Sequence, residues 1–280
     1  MKSFTLFAVI LCYLSSYAEQ CVWNGVGEVV AIGDVHGDFD QFVLILQGAD
    51  LVDQDLNWIG GKTHLVQVGD VLDRGPDSRA IMDLIMVLEQ QAPLQGGYVH
   101  FLLGNHEIML MKTDLRYVHE GEILSYGGLK EMVRALRPDG EYGNWLAGHN
   151  AAIRINNALF VHAGISEDYA SVPVDSINEL VRSEIARDWA EPSGIFSSTG
   201  PVWFRGMAVD RGSAIRRVLE EVLETNSADI IVIGHTVSIE GIETRFSGRV
   251  IMIDAGMSEC YGGTAQYLVL DQRGYKVQFP

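Results

Sequence analysis

Five short segments place metal-ligand side chains directly behind an apolar run. They are Gly33-Asp34-Val35-His36, Gly69-Asp70, Gly104-Asn105, and the histidines of "FVHAG" (His162) and "VIGHT" (His235). Asp34, His36, Asp70, Asn105, His162 and His235 supply two carboxylates, an amide oxygen and three imidazoles. Hard oxygen mixed with borderline nitrogen suits Mn, Fe or Zn better than Ca or a thiolate-seeking metal. Six such donors with one carboxylate shared fit two cations about 3.5–4 Å apart better than one. No cysteine joins them, which argues against a structural zinc site. A single strand-end histidine is more often a hydrogen-bond partner than a ligand. Five tips of this kind in one chain are not explained as helix caps. His64, His100, His119 and His149 have no spacing that ties them to the set.

The flanking patterns say what must position these groups. Val29–Ile32, Leu65–Val68 and the run from Tyr98 to Leu103 read as short buried strands. Asp38 is a suitable N-cap for an amphipathic stretch from Phe39 to Leu46, and Pro76 and Asp77 open a helix carrying Met82, Ile85, Met86 and Leu88. These are β–loop–α units of an α/β protein, in which ligands gather beyond the carboxyl ends of the strands. Glu107 reads as a first-turn helix residue favoured by the helix dipole. Between residues 108 and 150 an insert carries "YGGLKEMVRALRP" and "EYGNWLAGH", which read as two short helices and a candidate cap over the site.

No repeat, low-complexity tract or long charge block divides the chain, so residues 19–280 read as a single domain. A hydrophobic content of 48% with 7 prolines in 280 residues indicates a sizeable core. The formal charge of −17 opposes general nucleic-acid binding, so a phosphate site must be a local cationic exception. Residues 1–18 read as an export signal: Lys2, the short apolar run "FTLFAVILCYL", then Ser16 and Ala18 at a cleavage position. Cleavage would leave no stable membrane anchor and only Cys21 and Cys260, either as one disulfide or as two thiols.

The blocks "GDVHGD", "GDVLDRG", "GNHE", "HAG" and "GHT", in this order over residues 33–236, resemble the signature of the phosphoprotein phosphatase family of calcineurin-like metallophosphoesterases. "GPVWFRG" (200–206) is similar to bacterial-type members, the Shewanella-like phosphatases above all. Leu103 stands where eukaryotic Ser/Thr members usually have Arg, and "DAGMSECYGG" (254–263) replaces their "NYCG"-like loop. The resemblance implies a β-sandwich flanked by helices with a dinuclear metal site at the strand tips. It implies Asp34, His36 and Asp70 on one metal, Asp70, Asn105, His162 and His235 on the other, and phosphomonoester hydrolysis by a bridging hydroxide. His106 would protonate the leaving group with Asp73 orienting it, while Arg74, Arg205 and Asn105 would bind phosphate. Tyr261 would border the pocket or simply pack. The substrate expected is a phosphorylated protein, on tyrosine, serine or threonine. The alternatives are a dinucleoside polyphosphate hydrolase and a metal-bound interaction module without turnover.

Overall fold

The computed structural model describes residues 20–187 and 194–280, and the segment read as an export signal lies outside them. Among the described residues the chain begins β1 (Val22–Trp23), β2 (Glu28–Ile32), α1 (Phe39–Gly48), β3 (His64–Gln67), α2 (Ser78–Gln91), β4 (Tyr98–Phe101) and α3 (Asn105–Met111). It continues α4 (Glu120–Ser125), α5 (Leu129–Leu136), α6 (Glu141–Ala147), β5 (Ala152–Ile155), β6 (Ala158–Val161) and α7 (Val174–Ile185). The last part is α8 (Gly206–Val209), α9 (Ser213–Thr225), β7 (Ile230–Ile233), β8 (Glu243–Arg245), β9 (Val250–Met252), β10 (Tyr267–Asp271) and β11 (Gly274–Gln278). The strands form two sheets, ordered β1-β5-β6-β7-β9-β8 and β11-β10-β2-β3-β4.

Side chains alternate across each strand, and here both faces are covered. Val29 and Ala31 of β2 join Val66, Leu102, Phe160 and Ile231 in the core between the sheets. Val30 and Ile32 face the other way, into a second core with Phe42 and Ile45 of α1 and Met82 and Ile85 of α2. This is why β2 reads as an unbroken apolar run. On the far side, α9 buries Ile215, Leu219 and Val222 with the inner core. The protein is therefore an α/β sandwich flanked by helices.

Parallel pairing places the chemistry on one rim. β2, β3 and β4 are mutually parallel, as are β6, β7 and β9, so each group of three ends at the same edge of its sheet. Asp38 caps α1 by accepting the Gln41 N–H at 3.2 Å. Asp77 makes no side-chain cap bond at α2, where Glu122 of α4 accepts the Ser78 N–H at 3.0 Å instead.

The segment 108–150 holds α4, α5 and α6, three helices where the pattern showed two. Met132, Leu136, Tyr142 and Leu146 sit in the same core as α2, so these helices thicken the helical layer. Cys21 is buried, Cys260 is exposed, and both are free thiols. No helix among the described residues is long and apolar enough to cross a membrane.

Candidate active site

The ladders run one residue past the strands and carry the ligand types to a common point. Val68 N–H donates to Ile32 O at 3.1 Å, Leu102 to Gln67 at 2.9 Å, and Gly234 to His162 at 2.7 Å. Asp70 stands at the centre. Its Oδ2 lies 3.2 Å from His162 Nε2, 3.8 Å from His106 Nε2 and 3.9 Å from His36 Nε2. Asn105 Oδ1 lies 3.1 Å from the same His162 nitrogen. Two clusters with Asp70 in common result, His36–Asp70–His106 and Asp70–His162–His235. Asp34 belongs to neither mutual cluster; both its oxygens lie 3.0 Å from the His235 backbone nitrogen. All these side chains are buried.

Bringing them together requires strained backbone. His36, Asp70, Asp73, Arg74 and His235 have φ between 47° and 69°, left-handed conformations that cost on the order of 1 kcal/mol or more each. Glu107 holds one of these turns in place. Its carboxylate accepts the backbone N–H groups of Asp70 (2.8 Å), Val71 (2.9 Å), Leu72 (3.2 Å) and Gly104 (2.8 Å). The helix-dipole reading of Glu107 was too weak: the residue is fully buried and clamps the loop that presents Asp70. Gly104 is required at this crossing, because a Cβ there would overlap Asp70 Oδ1.

Hydrogen bonds also fix which ring nitrogen faces the centre. His36 donates Nδ1–H to Leu72 O at 3.0 Å, and His162 donates Nδ1–H to Val68 O at 2.9 Å. His235 donates Nε2–H to Trp203 O at 3.2 Å. Burial drives the His36 ring down to about 3 and also lowers His235, so both are neutral and offer a lone pair.

The charge balance calls for cations. Asp34, Asp70, Asp73, Glu107 and Asp254 are each no more than 2% exposed. Burial, and for Asp34 also the charges of Asp254 and Asp70, pushes Asp34 well above the usual carboxylate range, and burial likewise raises Glu107. Burial takes Asp254 to about 6, and its Oδ2 is buried without a partner. Burial opposes ionisation of Asp70 too, but the imidazoles of His162 and His106 outweigh it and hold it well below that range. At His162, with Nδ1–H committed, Nε2 faces two oxygens and must take either a proton or a cation between them. The donor set fits divalent metal ions.

Within the first cluster, His106 also reaches outward, its Nδ1 lying 2.6 Å from Asp73 Oδ2. Burial would lower the His106 ring, but Asp70 and Asp73 outweigh it and the net effect is upward. Arg74 follows Asp73, its Nε buried without a partner, and its guanidinium lies near the rings of Tyr117 and Tyr261. Arg205 is exposed but anchored, donating to His235 O at 2.8 Å and Thr236 Oγ1 at 3.0 Å.

Residues 27–238 match the calcineurin-like phosphoesterase family. The chain belongs to that family. This phosphoesterase is 35% identical over 257 residues to an uncharacterized protein of Schizosaccharomyces pombe, covering 87% of the chain and 77% of the relative. It is 29% identical to Shewanella-like protein phosphatase 2 of Arabidopsis thaliana, covering 86% of the chain and 74% of the relative. Its fold matches the cold-active protein-tyrosine phosphatase of a Shewanella species with a TM-score of 0.83 and 31% identity, over 95% of this chain and 82% of that one.

Three contributors to the phosphoesterase site escaped the sequence reading: the clamp role of Glu107, Tyr117 and Asp254. Asp254 had a signal. "VIMIDAG" is a sixth apolar run ending in an acid and glycine, and its strand β9 is parallel to β7.

Proposed function

We propose that this phosphoesterase is a metal-dependent protein phosphatase that hydrolyses phosphotyrosine, phosphoserine or phosphothreonine side chains, with His106 as the proton donor. The observation that carries the reading is the 2.6 Å His106–Asp73 pair set against the Asp70 cluster. A module that only bound metal would have no use for a buried, carboxylate-paired imidazole there. The names of the Arabidopsis and Shewanella relatives support protein substrates.

Asp34, His36 and Asp70 would hold one cation and Asp70, Asn105, His162 and His235 the second, with Mn, Fe or Zn suited to these donors. Such cations would supply Lewis acidity, toward phosphoryl oxygens and toward water near neutral pH. The protein's own groups do the rest. Arg74 brings a guanidinium whose buried Nε has no other partner, and it binds phosphoryl oxygens. Arg205, tied to the His235 loop, adds positive charge at the rim. Asp73 fixes the His106 ring through Nδ1, so the proton on Nε2 is the one delivered to the leaving oxygen. After delivery His106 is neutral and still oriented.

The amino-terminal apolar run supports export, so the substrates proposed are those met outside the cytosol. Phosphate release from phosphotyrosine and phosphothreonine peptides of one sequence tests the reading, with a dinucleoside tetraphosphate assayed beside them. Chelator-sensitive turnover of either peptide supports it. A hundredfold preference for the nucleotide would make this a nucleotide hydrolase.

A further inference from the structure

Two tyrosine rings from distant parts of the chain close on Arg74. Its guanidinium carbon lies 4.6 Å from the centroid of Tyr117 and 5.2 Å from that of Tyr261. Tyr117 lies in the loop between α3 and α4, and Tyr261 in the loop after β9. Each ring also borders a site histidine: Tyr117 lies 5.3 Å from His106 at an interplanar angle of 54°, and Tyr261 lies 5.7 Å from His36. The backbone N–H of Arg74 donates to Tyr117 O at 2.9 Å, which ties the two loops together. Tyr117 is nevertheless 41% exposed, so the residue is accessible from solvent.

The two tyrosines differ in what they can meet. A leaving oxygen must come within about 2.6–3.2 Å of the His106 proton. The first group bonded to that oxygen therefore lies beside His106, whose ring neighbours are His36 at 4.8 Å, buried and assigned to the metal set, and the exposed Tyr117 at 5.3 Å. In an aryl phosphate that first group is a ring, a group able to pair with Tyr117 at the roughly 4.5–7 Å centroid separations that aromatic pairs adopt. In a seryl or threonyl phosphate it is a single sp³ carbon leading straight to a peptide backbone, which presents no face to the tyrosine. Tyr261 borders His36, whose own ring lies 4.8 Å from His106, so its ring is one residue further from the proton donor in this chain of contacts.

Resting on the protein-phosphatase reading above, we propose that Tyr117 is a specificity residue, its ring seating the aryl leaving group and favouring phosphotyrosine over phosphothreonine. An aromatic pair corresponds to a preference of roughly 2- to 12-fold. Tyr117 also packs on Arg74, so a loss of overall rate would not separate the two roles. The substrate ratio does.

The test compares wild type, Tyr117→Phe and Tyr117→Leu, each loaded with Mn. kcat/KM is measured on phosphotyrosine and phosphothreonine peptides with identical flanks, and inhibition by benzylphosphonate, with CH2 in place of the leaving oxygen, against propylphosphonate. Tyr117→Leu should lower the tyrosine-to-threonine ratio by roughly 2- to 12-fold and weaken benzylphosphonate relative to propylphosphonate by the same factor. Tyr117→Phe should keep both wild-type ratios. Equal losses on both peptides and both phosphonates in Tyr117→Leu would overturn the proposal and leave Tyr117 as a support for Arg74. If the wild type hydrolyses neither peptide, the protein-phosphatase reading fails, and the phosphonate comparison still decides whether Tyr117 seats an aryl group.

Discussion

Asp73 Oδ2 sits 2.6 Å from His106 Nδ1, while the opposite nitrogen of the same ring lies 3.8 Å from the carboxylate of Asp70. One imidazole thus joins Asp73 to the Asp70 cluster. His106→Ala should retain bound metal and lose roughly 10²–10⁴-fold in kcat on a phosphothreonine peptide, the usual worth of a general acid. The loss should shrink on an aryl ester whose leaving group departs without help. Equal losses on both substrates would assign His106 to binding.

Asp70 is shared by both clusters, so its substitution should affect both cations. Asp70→Asn keeps the shape but removes the charge that neighbouring imidazoles stabilise. Metal content after gel filtration should fall to one ion per chain or fewer. Two tightly held ions in this variant would remove Asp70 from the bridging position.

Glu107 gathers four backbone N–H groups on one carboxylate. Glu107→Ala strands them in a buried site, at about 1–3 kcal/mol for each donor left unpaired, so several kcal/mol of stability should go. Glu107→Gln retains one acceptor oxygen and should fall between that variant and wild type. Urea unfolding of the three proteins orders them; an unchanged midpoint in Glu107→Ala would show that the loop holds itself.

How much of this was legible depended on how local each cause was. The convergence of Asp34, Asp70, Asn105, His162 and His235 was legible because an apolar strand and the polar group at its tip are adjacent in the chain. Asp254 ends its strand the same way but precedes Ala-Gly where the first three tips follow glycine, and it passed as loop. The role of Glu107 depends on the left-handed turn at Asp70, 37 residues away, which no local pattern encodes. Helix α4 has 6 residues, too few for a period to show. Tyr117 and Tyr261 meet only through the fold.

Glu122 gives the protein a titration near neutrality. Burial raises its carboxyl from 4.5 to about 7, with one oxygen capping α2 through Ser78 and the other buried without a partner. The folded state therefore keeps a proton that the unfolded chain releases above 4.5. Stability should fall as pH rises from about 4.5 through about 7, because the folded state must then hold a buried charge. Glu122→Gln should gain on wild type progressively across that window, read from urea midpoints at pH 5, 6, 7 and 8. A constant difference between the two proteins would refute the assignment.

A phosphatase that uses two cations held by these strand tips is the reading proposed above. Its most direct test is phosphate release from one phosphotyrosine peptide by protein stripped with chelator and then titrated with Mn. The stripped protein should show no turnover, and the titration should give a rise that levels off at two ions per chain. Full turnover without metal, or saturation at a single ion, would contradict it.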